Sequence, residues 1–403
     1  MDFEVPGEVR QMRRTVDEFI EREIEPLEAE YDRFLGEDAE AEMVDGTGTD
    51  YRLRDEFMEL WREIRERSVE AGIYTMHMPE SVGGGGLDIL PFTVLVEHIE
   101  NRNPDGFHSL IWDTGTVTEM LLPAYEDDYQ REAYFEPVMN GEKLSAFALS
   151  EPGHGSDATF METTAERDGT EWVIDGEKAF ISKGAVADFL MVHARTAGQP
   201  GDVSGITSFL VDAENPGVSV TKVQRPMGGQ PGRQAILSFD DCRVDEAQVL
   251  GEVGEGFSQL IGWIGAGRLT IPASAVGRCQ WMLDRSVEYA AERETFGTPI
   301  GERQGVRFQL AEAATDIEQT RWLYRYAAWK ADRDERVVKE QSMAKLRGAQ
   351  LWNDVADVAV QVHGGAGFMR SLPFEAEYRE ARAARIYEGT DEIQKRTIAR
   401  ELF

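Results

Sequence analysis

The hydrophobic period of this chain changes twice, and that double change limits the fold more than any single motif does. Val9, Met12, Val16, Phe19, Ile20 and Ile24 recur at three- and four-residue steps, the spacing of one helix face. Pro26 follows without having to end that pattern. A second helical stretch is expected from about Asp55 to Ala71, a loop at Gly83 to Gly86, and further helical patterns to about Gln130. After Lys143 the period shortens to two. Thr163 to Glu166 and Trp172 to Ile174 read as strands around an Asp168-Gly169 turn, and Asp175-Gly176 reads as a second turn leading into Lys178 to Ser182. Phe189–Ala194, Ile206–Val211, Val218–Val223 and Ala235–Phe239 are the remaining strand candidates. From about Glu255 the helical period returns. Phe257, Leu260, Ile261 and Ile264 share a face, as do Val306, Leu310, Ala313 and Ile317. Segments near Arg321–Ala331 and Val338–Val362 complete an antiparallel bundle in which Pro272 is a candidate kink. The expected fold is therefore an α+β multidomain chain: helices over 1–143, a small β-barrel or sandwich over 144–254, and a helical bundle over 255–403.

Charge narrows the partners. Asp and Glu number 75 against 42 Lys and Arg, a formal charge of −33. A general nucleic-acid surface is excluded, because phosphate affinity rests on basic side chains, and anionic membranes would repel the chain. Eight of the basic residues are Lys and the rest Arg. Acidic, Lys-poor surfaces resemble those of halophilic proteins, whose self-repulsion is screened by salt. The acidic stretch Gly36 to Asp50 reads as a mobile insertion. Two cysteines, Cys242 and Cys279, give no disulfide framework, and with no signal-like start or long apolar run the expected location is cytoplasmic. The six histidines are scattered, with no zinc-like pair, so no metal site is expected.

Five segments could carry chemistry. In ALSEPGHGSD, Gly153 and Gly155 allow close backbone approach and Ser156 offers a hydroxyl to a phosphate, though taken alone the segment reads better as a surface turn. In GEKAFISKG, Phe180 and Ser182 alternate and would share a strand face able to flank a planar ring, or simply be a buried Phe and a chance Ser. In ERETFGTPIGERQ, Arg293 follows a helical stretch, placed for a phosphate or merely solvated. In QVHGGAGF, the glycines break a long helix and permit close contact, or only cap it. In IYEGTDEIQ, Glu388 sits beside Ile386 and Tyr387, where desolvation would raise its pKa and suit it to proton abstraction, although by position alone it reads as a solvated surface group, and Thr390 or Asp391 can cap the next helix. Trp322, Tyr326 and Trp329 lie at helical spacing and read as core.

In their order, ALSEPGHGSD, ERETFG, QVHGGAGF and IYEGTDEIQ resemble the acyl-CoA dehydrogenase family over essentially the whole chain. The resemblance implies an N-terminal helical domain, a middle β-domain and a C-terminal four-helix bundle, assembled as a homotetramer (a dimer of dimers). It implies FAD. Phe147, Leu149 and Ser150 would lie along the flavin, Ser156 would bond the pyrophosphate and approach substrate, and Phe180 and Ser182 would flank the isoalloxazine. Arg293, Thr295, Phe296, Gln304, Gln361 and Gly365 would reach FAD across the dimer interface, and Thr390 and Glu392 would complete the site. Glu388 would remove the α-proton of an acyl-CoA, with Gly389 and Arg268 near substrate, and the β-hydrogen would leave as hydride to flavin N5. Donors aimed at the thioester carbonyl, the base's own amide among them, would stabilise the developing enolate. Electrons would pass to an electron-transfer flavoprotein, as in fatty-acid β-oxidation. Some relatives place the base on the first bundle helix. Here that position is Gly267, so Glu388 is favoured. Phe180 stands where the family often has Trp, and His154 where it often has a small residue. The alternatives are an oxidase using O2 and a catalytically idle scaffold member.

Overall fold

The computed structural model describes residues 7–46, 52–102, 106–112, 116–229 and 234–403. Helix α1 (Gly7–Phe19) buries Val9, Val16 and Phe19 and runs on through a wider turn, Ile20–Ile24, into Glu25–Glu30. Pro26 lies in the first turn of that last piece, a position that tolerates its missing N–H. The acidic stretch is a correction to the mobile insertion expected there. Ala39–Met43 is helical, and Val44–Asp45 pairs antiparallel with Arg52–Leu53. Met43, Val44 and Leu53 are buried in the core, and those apolar anchors fix the segment despite its charge. Residues 47–50 of that stretch lie outside the described residues. Helices α2 (Asp55–Glu70) and α3 (Ile89–Glu100) follow, and short helical turns continue to Met139.

Strands β1 (Ser145–Ala148), β2 (Thr164–Asp168), β3 (Glu171–Ile181), β4 (Phe189–Arg195), β5 (Ile206–Asp212), β6 (Val218–Val223), β7 (Ala235–Asp245) and β8 (Val249–Leu250) form one hydrogen-bonded sheet in the order β8-β5-β4-β2-β3-β7-β6, with β1 parallel to β4. Every residue of β4 is buried, because both of its faces are covered. Leu190, Val192 and Ala194 join the sheet's own core with Phe209, Trp172 and Leu237. Phe189 and Met191, pointing the other way, pack with Tyr134, Phe135 and Val138 of the helical part. The turn expected at Asp175-Gly176 is instead a bulge within β3, where the register against β7 shifts. Gly176 is required there: at φ +150 a Cβ would stand 2.7 Å from Thr163 Cα. Asp175 accepts the Asp241 N–H across the irregularity, at 2.9 Å.

The bundle consists of α4 (Gly256–Glu292), α5 (Gln304–Ala331), α6 (Val338–His363), α7 (Phe374–Ala384) and α8 (Asp391–Leu402). Pro272 lies inside α4 without ending it. Leu260, Ala313 and Ile317 are buried as their spacing implies, while the side chains of Ile261 and Ile264 lie outside those described. Helices α4 and α6 touch closely: a Cβ on Gly348 would stand 2.6 Å from Pro272 Cα. Trp322, Tyr326 and Trp329 are exposed on α5, not core. Their spacing defines a helix face, but Ala313, Ile317, Tyr324 and Ala328 supply the face that turns inward. Arg278 of α4 is buried, bonded at 2.7 Å to Glu100 of α3 and at 2.7 Å to Glu377 of α7, so the N-terminal helices and α7 are tied to one point of the bundle. Among the described residues no helix is long and apolar enough to cross a membrane.

Candidate active site

Glu388 sits on a turn between α7 and α8 that the chain does not adopt freely. Its φ is +53, left-handed for a residue with a Cβ, and Gly389 follows at +87. Backbone held this way costs on the order of 1–3 kcal/mol and persists only where its surroundings enforce it. Two buried side chains do so. Gln394 Nε2 donates to the Glu388 carbonyl at 2.8 Å and to the Gly389 carbonyl at 3.1 Å. Lys345 Nζ, from α6, donates to the Ala384 carbonyl at 2.9 Å and to the Gly389 carbonyl at 2.7 Å. Thr390 caps α8 by accepting the Ile393 N–H, and Asp391 is buried against Arg385 at 2.8 Å.

The Glu388 carboxylate makes no hydrogen bond among the described residues, and neither does its backbone N–H. Burial raises its pKa, while Arg268 and Lys345 pull it back down. Arg268 leaves a buried Nε with no partner among the described residues. A desolvated carboxylate, a free amide and a guanidinium nitrogen unpaired among the described residues thus meet at one place, which suits proton removal next to a polarised oxygen.

The second group of residues edges the sheet. Phe147 (β1) packs on His193, ring centroids 4.9 Å apart. The segment after it is pinned from beneath by Lys178, whose Nζ bonds the Leu149 carbonyl at 3.0 Å and Glu151 at 2.8 Å, both charged side chains being buried. The Ser150 carbonyl accepts from Ala179 N–H at 2.9 Å. Beyond it Gly153, Gly155 and Ser156 are exposed, and a Cβ on either glycine would meet nothing within 4 Å. His154 is drawn to Asp157 at 2.9 Å, which raises its pKa. Phe180 stands 65% exposed at φ +61, its N–H bonded to Gln224 at 3.0 Å, and Ser182 is exposed just past the strand. The strict alternation expected of this pair is interrupted by a register shift between Lys178 and Ile181, although Ala179 and Ile181 still turn inward and Phe180 and Ser182 outward.

The third group gathers at the far end of the bundle. Arg293 ends α4, and Thr295 and Phe296 lie on the hairpin Glu294–Pro299 before Gln304 opens α5. Phe296 is 98% exposed. Gln361 is in the last turn of α6, where Gly364 at φ +61 caps the helix, and Gly365 follows, exposed. Tyr289 against His363, ring centroids 4.4 Å apart, places both ends together. Sixteen residues of α6 separate Lys345 from Gln361, about 24 Å at the helical rise. Within one chain this group therefore stands well away from Glu388. Glu392 is exposed on α8. The sequence did not single out Lys345, Gln394, Lys178 or Glu151. Only their complete burial marks them, and no spacing rule exposes it.

An open glycine loop, a large ring held out to solvent beside a hydroxyl, and an arginine with no ion pair among the described residues suit an extended cofactor carrying a ring and phosphates. The fold and site thus fit the flavin-dependent class of oxidoreductase that the sequence resemblance implies.

Family models for the acyl-CoA dehydrogenase N-terminal, middle and C-terminal domains match residues 6–142, 146–242 and 254–403. The chain belongs to the acyl-CoA dehydrogenase family, whose members are FAD flavoproteins. It is 33% identical to the mitochondrial short-chain specific acyl-CoA dehydrogenase of Mus musculus, over 99% of this chain and 91% of that protein. It is 34% identical to a 3-(aryl)acrylate reductase of Clostridium sporogenes, over 97% of each. The solved butyryl-CoA dehydrogenase of Megasphaera elsdenii superposes with a TM-score of 0.83 at 28% identity, covering all of both chains.

Proposed function

We propose that the protein carries out α,β-dehydrogenation of an acyl-CoA thioester, with Glu388 as the base. The observation that carries this is the Glu388 turn: a desolvated carboxylate without a hydrogen bond among the described residues, held in left-handed backbone beside an Arg268 nitrogen that is unpaired among them. The Glu388 N–H is free to hold the thioester carbonyl, and polarising that carbonyl is what makes the α-proton removable. Arg268 adds positive charge where an anionic substrate arrives. FAD, when bound, supplies the acceptor for the β-hydrogen. Phe147, Leu149, Ser150, Phe180, Ser182, Thr390 and Glu392 would hold it from one subunit, and Ser156 its pyrophosphate. Arg293, Thr295, Phe296, Gln304, Gln361 and Gly365 would contact it in a neighbouring subunit of a homotetramer, a reading supported by the distance of that group from Glu388. Gly389 would border the substrate. The working units are 1–143, 144–254 and 255–403.

An electron-transfer flavoprotein as acceptor and a cytoplasmic setting complete the reading; Cys242 and Cys279 are buried and unpaired, as a reducing compartment allows. The test is a panel of acyl-CoAs of varied length scored anaerobically by bleaching of the flavin. Bleaching by none of them overturns the proposal, and rapid oxygen consumption in turnover replaces the dehydrogenase with an oxidase.

The charge of −33 carries a separate expectation. Self-repulsion between acidic groups is strongest in dilute buffer and fades as the Debye length shrinks. The thermal midpoint should therefore rise from low to multimolar KCl. A midpoint that falls over that range removes the halophilic reading.

A further inference from the structure

We propose that Lys345 is a positioning residue for the base: its ammonium, bonded to the carbonyls on both sides of Glu388, holds the left-handed turn and presents the carboxylate. The inference rests on the reading of Glu388 as base and deepens it.

The geometry is specific. Lys345 lies on α6, outside the turn, and its side chain is fully buried. One Nζ reaches the Ala384 carbonyl at the end of α7 and the Gly389 carbonyl immediately after Glu388. Those oxygens lie four residues before and one residue after the base, so a single group clamps both ends of the turn. Gln394 adds bonds to the Glu388 and Gly389 carbonyls but reaches nothing on α7 among the described residues. The positive φ of Glu388 and Gly389 is the conformation that needs such a clamp. Composition points the same way. Of eight lysines in the chain, Lys178 and Lys345 have no exposed surface. In a protein that otherwise uses Arg, lysine stands where a compact ammonium must meet carbonyls in a closed space, which a planar guanidinium cannot match.

The charge matters as well as the bonds. Facing Lys345 are Arg268 from α4, Asp391 from α8, and Glu388 and the Tyr387 ring from the turn, the ring centroid 5.9 Å from Nζ. Burial lowers the Lys345 pKa to about 8, with Asp391 and Glu388 opposing the fall and Arg268 adding to it. At neutral pH it is mainly charged and favours the ionised form of Glu388.

The experiment compares FAD-loaded wild type, Lys345→Met, Lys345→Arg and Glu388→Gln with butyryl-CoA as the probe. Lys345→Met should keep its flavin and a nearly unchanged KM, lose about 10–100-fold in kcat, as small misplacements of reacting groups do, and move the acidic limb of kcat/KM to higher pH. Lys345→Arg keeps the charge but not the clamp, so kcat should fall while the limb stays near wild type. If Lys345→Met does not fold, Lys345→Arg decides alone: wild-type kcat overturns the proposal. Wild-type kcat and an unmoved limb in folded Lys345→Met overturn it too, leaving a purely structural lysine. A Glu388→Gln variant that still turns over overturns the base assignment instead, so the two failures are distinguishable.

Discussion

Glu388→Gln is expected to bind FAD as the parent does and to lose about 10²–10⁴-fold in dehydrogenation, the range a positioned general base supplies. The amide is the same size and cannot accept the α-proton. The turn survives because its bonds from Lys345 and Gln394 go to backbone carbonyls, not to the side chain. The same residue sets a pH signature. Burial lifts its folded pKa above the ordinary carboxylate value, against Arg268 and Lys345. Between the unfolded and folded values the native state holds a proton that the unfolded chain has released. This group's stabilising contribution is therefore complete below the unfolded pKa and is lost as pH rises through the folded one. Activity runs the other way, since the base works when ionised. Denaturant titrations across that window should show the slope in wild type and its loss in Glu388→Gln, while kcat/KM of wild type climbs. Equal slopes in the two proteins, or retained turnover in the variant, would exclude Glu388 as a desolvated base.

Much of the fold was legible because hydrophobic period is a local property. Val9, Val16 and Phe19 mark a helix face whatever lies opposite, and Leu190, Val192 and Ala194 alternate with Phe189 and Met191 because β4 separates two cores. Structure departs from local pattern where tertiary contact outweighs it. Asp175-Gly176 carries turn chemistry, yet Thr163 packs against it and the strand continues through a bulge. Trp322, Tyr326 and Trp329 are apolar at the right spacing, but Ala313, Ile317 and Tyr324 occupy the inner face. In the acidic segment, Met43 and Val44, the latter paired with Leu53 just beyond it, outweigh the surrounding charge. The residues with motifs, Glu388 and Ser156 among them, were nameable from the sequence. Their supports were not: Lys345 and Gln394 reach the Glu388 turn from separate elements, 43 residues before it and one helical turn after it.

Lys178→Met should produce the largest loss of stability among the site's supports, about 3–5 kcal/mol, because it strands a partner in a closed space. Lys178 is fully buried and Glu151 nearly so, and they meet at 2.8 Å. Burial lowers the Lys178 pKa to about 8, with Glu151 opposing the fall, so the ammonium is mainly charged at neutral pH. Glu151 in turn accepts the Glu162 N–H at 2.6 Å and the Thr163 N–H at 3.0 Å. The pair therefore fastens the start of the glycine loop, through the Leu149 carbonyl, to its end. Methionine fills the space but leaves a buried carboxylate without its cation and the Leu149 carbonyl without the Lys178 donor. A merely destabilised protein would bind flavin normally once folded. Loss of the fastening predicts weaker FAD as well, because Ser150 to Ser156 would no longer be held ready and binding would bear the cost of ordering them. Urea unfolding with and without FAD measures both effects. Adding Glu151→Gln to Lys178→Met should recover part of the stability by removing the stranded charge, but not the affinity, since the loop stays unfastened. A single variant less than about 1 kcal/mol below wild type, inside the range of an exposed ion pair, would mean that this pair does not brace the loop.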